Sequence, residues 1–240
     1  MRLLVQSAVV AAGIALAPSL SLAETLTVLA GPIEPYAIEK GDRPGVAVEV
    51  LTEMAKRAGI QLTIKFEPWT RAQTDAQAGK EVAILPLTRT PEREAKYVWI
   101  VPLLSDPLYL TATRKDLNIA TLDKAQALSV AVLRSTPEED VLRKAGLSKL
   151  ELTTDGDSGA KLLKAGRVDA WYTRGMVASF AYTKNGGDAA TLLRGANTDT
   201  PPMYLGGSPD FPKELGVKLS KALDSMKADG RYDQIVKSYQ

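Results

Sequence analysis

The sequence predicts an α/β protein of two lobes joined by two crossing segments. Apolar strand-like runs alternate with amphipathic helical segments from residue 26 to residue 85, and the same alternation begins again at residue 129. Polar, turn-rich stretches lie at residues 117–126 and 197–202, where the chain would pass from one half to the other and back. Two such connections would form a hinge.

The first 23 residues have the pattern of a cleavable secretory signal. Arg2 precedes an apolar run from Leu3 to Ala17, and Ser21 and Ala23 provide small residues for cleavage. The run is shorter than the roughly 20 residues that a membrane-spanning helix needs. No cysteine follows it that could carry a lipid anchor. We therefore expect residues 1–23 to be removed and the mature chain to be free in the compartment to which it is exported.

The first lobe is predicted to comprise residues 24–112 and 204–240. Alternating apolar residues predict strands, residues at helical spacing predict helices, and glycines end both helices of the first half. The two C-terminal helices should pack on this lobe. The predicted elements are strands near 26–30, 62–66, 82–85 and 108–113, helices 46–58 and 69–78, and C-terminal helices near 215–226 and 232–239.

The second lobe is predicted to comprise residues 113–203, and it repeats the order strand, helix, strand, helix, strand, helix. A short helix within residues 117–126 comes before this repeated order of elements. Residues 197–202 return the chain to the first lobe. The predicted elements are strands 129–133, 150–153 and 168–173, and helices 137–145, 158–164 and 175–184.

The composition excludes several classes of function. The chain has 30 basic and 28 acidic residues, so it is nearly neutral once Arg2 is removed, which argues against nucleic acid as a partner. It has no histidine and no cysteine, which excludes Ser-His-Asp and Cys-His catalysis, disulfides and most transition-metal sites. We expect no cofactor and no catalytic motif.

Two segments, Thr-Pro-Glu-Arg at residues 90–93 and Thr-Pro-Glu-Glu at residues 136–139, have the pattern of a helix start after a strand. Threonine is a preferred cap, proline fits the first helical position, and acidic residues suit the positive helix end. Each segment could be an ordinary cap. Because open α/β sheets bind ligands at strand carboxyl ends, two facing helix starts would instead form an anion clamp.

Arg93 would add a planar fork of donors to this clamp. A guanidinium can hold a carboxylate through two parallel hydrogen bonds, which an ammonium cannot. The alternative is a surface arginine paired with Glu92 or Glu94.

The strand-to-helix segment at residues 79–93 resembles the corresponding motif of family 3 extracellular solute-binding proteins, which serve ABC importers, mostly for polar amino acids. Residues 34–36, 45–59, 166–170 and 227–232 share this resemblance, so it spans nearly all of the mature chain. It implies a type II periplasmic binding protein, also called a Venus-flytrap fold, with two lobes that close on a ligand. It also implies an ABC permease in the inner membrane as partner, and we expect a monomer.

The resemblance also implies roles for particular residues. Arg93 would anchor the ligand carboxylate, Thr88 would be a hydroxyl contact beside it, and Tyr36 would form an aromatic wall. Ser135 and Thr136 would bind from the second lobe.

The sequence departs from the family at Arg174, which aligns where amino-acid-binding members usually carry the aspartate that pairs with the ligand ammonium. An arginine would repel an ammonium, so we expect a ligand with carboxylate groups and no obligatory ammonium. Glu34 could still supply the missing negative partner. Arg71 is placed in the same cleft, beside Arg89 and Arg134.

Trp69 and Trp171 could each be an aromatic wall of the cleft or a core residue. Trp69 is assigned to the cleft as an aromatic wall, and Trp171 could be either wall or core. Tyr172 must face the opposite side of its strand from Trp171.

Two alternatives to transport remain at this point. One is a dehydratase-like enzyme that uses Glu34 as a general acid and holds a substrate carboxylate with Arg93 and Arg174. The other is a soluble sensor that reports a ligand to a membrane receptor. The sequence does not name the ligand.

Overall fold

The structure is a computed structural model that describes residues 24–134, 136–198 and 200–239. Residues 1–23, which carry the predicted secretory signal, lie outside the described residues. Within the described part, the strands form two five-stranded sheets, each flanked by helices. The predicted two-lobed α/β fold is confirmed.

The first sheet has the strand order β2-β1-β3-β10-β4. Strands β1, β2 and β3 are parallel, and β10 runs antiparallel between β3 and β4. Alternating burial of Leu26 and Val28 matches the predicted period of two for a strand. The strands are β1 (Glu24–Ala30), β2 (Ile60–Phe66), β3 (Ala83–Thr88), β4 (Val98–Leu104) and β10 (Met203–Gly207).

Helices cover both faces of the first sheet. On one face, Leu51 and Met54 of α1 pack in the same core as Leu219 and Leu223 of α6. On the other face, α2 buries Ala72 and Ala76. The helices are α1 (Val46–Ala58), α2 (Trp69–Ala78), α6 (Lys213–Ala228) and α7 (Arg231–Lys237). The C-terminal helices therefore pack on the first lobe, as predicted.

The second sheet has the order β7-β6-β8-β5-β9. Trp171 and Tyr172 lie on opposite faces of β8, and both are core residues. Trp171 packs so closely that a Cβ at Gly159 would come within 2.5 Å of its ring. The strands are β5 (Leu108–Ala112), β6 (Val130–Leu133), β7 (Leu150–Thr153), β8 (Ala170–Arg174) and β9 (Leu193–Thr198), and the helices are α3 (Pro137–Lys144), α4 (Gly156–Lys164) and α5 (Gly175–Lys184).

The chain crosses between the sheets at residues 105–107 and again through residues 200–202. We call these segments the two crossings. The strand predicted at 108–113 as part of the first lobe is β5, which pairs with β8 and β9 of the second sheet. A buried apolar run has the same sequence pattern in either sheet, so this assignment was wrong. Residues 197 and 198, assigned to the return crossing, end strand β9.

Two predicted helical segments are 3₁₀ helices in the structure. Residues 123–125 form the short helix predicted between the lobes, and Pro91–Lys96 is a 3₁₀ helix and not an α-helix. Among the described residues, no helix is both long enough and apolar enough to cross a membrane.

Candidate ligand-binding site

A cavity of about 440 Å³ lies between the two lobes. The loop after β1 lines it from the first lobe, and the start of α4 and one face of α5 line it from the second. Its position at strand carboxyl ends is where open α/β sheets place ligands. The lining residues are Pro32, Glu34, Asp155, Gly156, Asp157, Ser158, Lys161, Val177, Phe180, Ala181 and Lys184.

Charged side chains bridge the lobes beside this cavity. Lys184 Nζ lies 2.7 Å from Glu34 Oε2 in the first lobe and 3.4 Å from Asp157 Oδ2 in the second. The hydrogen bond that Lys184 donates to Glu34 is the main cause of a raised pKa for Lys184. All three side chains are more than a third exposed, so solvent screens the pairs. Glu34 is thus in the cleft, as predicted, but a lysine already partners it.

Arg93 is held in place by neutral acceptors. Its Nη1 donates to the Thr88 carbonyl at 3.0 Å, and its Nη2 donates to Gln73 Oε1 at 3.0 Å. Arg89, and not Arg93, pairs with Glu94, with Nε donating to Oε2 at 2.8 Å. Among the described residues, no carboxylate forms a salt bridge with Arg93. The half-buried guanidinium lies beyond the carboxyl end of β3, and a through-space attraction to the exposed Glu92 offsets part of its charge.

The predicted helix caps are absent from both Thr-Pro segments. Neither Thr90 nor Thr136 makes a capping hydrogen bond with its side chain. The Thr136 hydroxyl instead donates to the Leu133 carbonyl at 2.7 Å. Ser135 lies outside the described residues. The prolines do occupy the first helical positions, so the pattern located both helix starts correctly and misassigned only the threonine side chains.

Tyr36 is a core residue. It is 3% exposed, and its hydroxyl donates to Asp106 Oδ2 at 2.6 Å. Burial is the main cause of a Tyr36 pKa well above the usual value. The ring therefore leaves no exposed aromatic wall. Trp69 is half-buried against Gly31, where a Cβ would come within 2.8 Å of the indole, so it does sit beside the loop that lines the cavity.

Arg174 contacts the crossings. Its Nη1 donates to the Asp106 carbonyl at 2.9 Å and to Thr200 Oγ1 at 2.9 Å. Arg71, by contrast, is 71% exposed, and its Nε lies 3.3 Å from Asp75 on the same helix and 3.5 Å from Glu67, just before that helix. Arg71 is therefore a solvated, paired arginine.

Asp106 was not identified from the sequence. It is 4% exposed, and its carboxylate accepts the Tyr36 hydroxyl and the Met176 backbone N–H. Burial raises the pKa of Asp106, although the Tyr36 hydrogen bond opposes this. An acidic residue followed by proline between two apolar strands was the available signal. Lys184 gave no such signal, since a lysine at a helix end is usually a surface residue.

The nine predicted site residues do not form one contact network in the described structure. Thr88 and Arg93 form one group, Glu34 a second with Lys184, and Tyr36 and Arg174 a third through Asp106. Within the described ranges, no group of three or more acidic side chains is arranged to hold a metal ion.

A model of the bacterial extracellular solute-binding proteins, family 3, matches residues 27–240. The chain belongs to this family. The lysine/arginine/ornithine-binding periplasmic protein of Escherichia coli K12 is 26% identical to this solute-binding protein over 214 residues, which cover 83% of the chain and 80% of the relative.

Solved structures share the two-lobed fold. Substrate-binding domain 2 of GlnP from Lactococcus lactis, in an open conformation, has a TM-score of 0.77 at 19% identity and covers 90% of this chain and 95% of its own. An ancestral arginine-binding protein bound to arginine has a TM-score of 0.63 at 26% identity and covers 90% and 97%. The family match and the named relatives make the chain a binding protein rather than an enzyme.

Proposed function

We propose that this protein captures a small carboxylate-bearing solute between its lobes and delivers it to an ABC permease of the inner membrane. The solute would be an organic acid or an acidic amino acid. Residues 1–23 would direct the protein to the periplasm and be removed there, and the mature protein would act as a monomer. The lobes would divide at the two crossings, residues 105–107 and 200–202.

The observation that carries this proposal is the guanidinium of Arg93, which neutral acceptors hold and which forms no salt bridge within the described residues. Two neutral acceptors fix its orientation, and Glu94 of the same loop pairs with Arg89. A guanidinium that is positioned but not neutralised gains most from an incoming carboxylate, because the hydrogen bonds are charge-assisted and the arginine needs little reorganisation.

The distribution of acids argues against a cationic ligand. Lysine, arginine and ornithine, named for the Escherichia coli relative, need an acidic partner for each ammonium. At the cleft, Glu34 and Asp157 are both within 3.4 Å of Lys184, and Asp155 accepts the Ser158 backbone N–H at 2.7 Å. The position of the family aspartate is Arg174. Each of these features favours an anion.

The proposed ligand contacts follow from this arrangement. Arg93 would anchor the carboxylate, Thr88 and Thr136 would lie beside it, and Trp69 would form the wall next to the loop after β1. The other proposed contacts are Glu34, Ser135 and the free nitrogens of Arg174. We leave Tyr36 and Arg71 out, since one is buried on Asp106 and the other is solvated.

A ligand panel tests the proposed solute class. Isothermal titration calorimetry with succinate, L-glutamate, L-glutamine, L-lysine and L-arginine should show binding of succinate or L-glutamate and weaker binding of the other three. Micromolar affinity corresponds to about −8 kcal/mol. L-Glutamine is the matched control for L-glutamate, because it keeps the shape and removes the second carboxylate. Tighter binding of L-lysine or L-arginine than of both acids would contradict the proposal.

A further inference from the structure

Arg174 ties both crossings to the second lobe. Its Nη1 donates to the Asp106 carbonyl in the first crossing and to the Thr200 hydroxyl in the second, both at 2.9 Å. The Thr200 hydroxyl itself donates to the Asp106 carbonyl at 3.1 Å. One nitrogen of a β8 residue therefore holds together the two segments through which the lobes are connected. We call these three hydrogen bonds the hinge clamp.

The clamp continues into both lobes through the Asp106 side chain. One carboxylate oxygen accepts the Tyr36 hydroxyl from the first lobe at 2.6 Å, and both oxygens lie within 3.2 Å of the Met176 backbone nitrogen in the second. Asp106 is thus fixed through its main chain by Arg174 and through its side chain by both lobes. Because it is 4% exposed, water cannot easily replace these partners.

Hinge opening and closing change backbone torsions in the segments that connect two lobes. Hydrogen bonds that join both segments to a rigid strand end restrict those torsions. We propose that the hinge clamp of Arg174 restricts the range of lobe arrangements that the ligand-free protein visits. This role goes beyond ligand capture, and it leaves Nη2 and Nε of Arg174 available for a ligand.

Interlobe distances measured without ligand test the clamp. The chain contains no cysteine, so spin labels at Lys65→Cys on β2 and Lys144→Cys on α3, both exposed positions, label one site in each lobe. Pulsed electron paramagnetic resonance then gives the distribution of distances. Arg174→Met keeps the apolar stem and removes the donors. We expect it to lower the ratio of the main arrangement to all others about tenfold.

The experiment includes two further variants, Thr200→Val within the clamp and Arg194→Met as a control. Thr200→Val removes, at nearly constant volume, the hydroxyl that accepts from Arg174 and donates to the Asp106 carbonyl. It leaves the charged hydrogen bond from Arg174 to Asp106, so it should broaden the distribution in the same sense, by a smaller factor. Arg194 is the matched control, because it lies near Asp106 but donates within the second lobe, to the Ser179 hydroxyl at 2.9 Å. Arg194→Met should leave the distribution unchanged.

An Arg174→Met distribution that superimposes on the unsubstituted protein overturns the proposal, and so does equal broadening by Arg194→Met. If Arg174→Met does not fold by circular dichroism, Thr200→Val decides alone, and an unchanged distribution overturns the clamp. No ligand enters this experiment, so its failure would leave the proposed solute class untouched.

Discussion

Arg93 and Arg174 occupy comparable places in the two sheets and are used differently. β3 and β8 each lie between a parallel and an antiparallel neighbour, and each arginine lies at or just beyond the carboxyl end of its strand. Both guanidinium groups are half-buried and bind neutral acceptors. Arg93 binds within its own lobe, to Thr88 and Gln73, whereas Arg174 binds the two crossings.

The two arginines are therefore suited to different tasks. An arginine fixed within one lobe keeps its geometry whatever the lobes do, which suits the first capture of a ligand by an open cleft. An arginine fixed on both crossings depends on the relative position of the lobes, which suits control of the hinge. We therefore expect substitutions at Arg93 to change affinity and substitutions at Arg174 to change lobe geometry.

The largest expected effect is the loss of affinity in Arg93→Ala. Removing a charged bidentate donor from a carboxylate site should weaken binding by about 100-fold, which corresponds to about 2.7 kcal/mol. Calorimetry with the acid that binds most tightly in the panel measures this. Arg93→Lys keeps the charge but not the fork, so its affinity should fall between the two.

The control for this loss is Arg114→Ala, which removes one positive charge from an exposed position paired with Asp116. It should bind the acid with unchanged affinity. Equal affinity of Arg93→Ala and the unsubstituted protein would show that the carboxylate is held elsewhere, and Arg174 would become the next candidate.

A smaller effect is expected at Gln73, which positions Arg93 without reaching the ligand. Gln73→Ala removes the Oε1 acceptor of Arg93 Nη2, so the guanidinium should lose orientation but not charge. We expect about a fivefold loss of affinity. Gln77→Ala is the control on the same helix, since Gln77 donates to the Tyr97 hydroxyl at 2.9 Å and not to Arg93. A similar loss in both variants would indicate general damage to α2.

The comparison also shows what the sequence could predict. Alternation of Leu26 and Val28, and helical spacing of Leu51 and Met54, reflect local geometry, so these elements are found where predicted. Membership of β5 in the second sheet depends on pairing with β8, about 60 residues away, and periodicity contains no such information. Strands β4, β9 and β10 were missed, because each pairs only with distant segments.

The candidate site, like the fold, has parts that the local sequence predicts and parts that depend on contacts between distant residues. Arg93 could be predicted from a short motif, because its setting after β3 is local. That Arg93 forms no salt bridge within the described residues could not be predicted, because Glu94 pairs with Arg89 instead. The clamp at Arg174 depends on Asp106 and Thr200, which are 68 and 26 residues away in sequence. Side-chain contacts over such separations follow only from the folded chain.

The smallest expected effect is a pH dependence of stability that comes from Asp106, the buried carboxylate next to the Arg174 contacts. Burial raises the pKa of Asp106 in the folded protein above the ordinary aspartate value of about 3.9. Between these two pKa values the native state binds more protons than the unfolded chain, so this group stabilises the fold less as pH rises.

Asp106→Asn removes the titration and keeps the shape. The free energy of unfolding of the unsubstituted protein minus that of Asp106→Asn, from urea denaturation between about pH 3.5 and 8, should therefore fall as pH rises and then level off. Asp116→Asn should give the opposite slope, because the hydrogen bond from Arg114 lowers the pKa of Asp116. A difference for Asp106 that rises with pH would mean that the Tyr36 and Met176 hydrogen bonds outweigh burial, and that the clamp is built on a stabilised carboxylate.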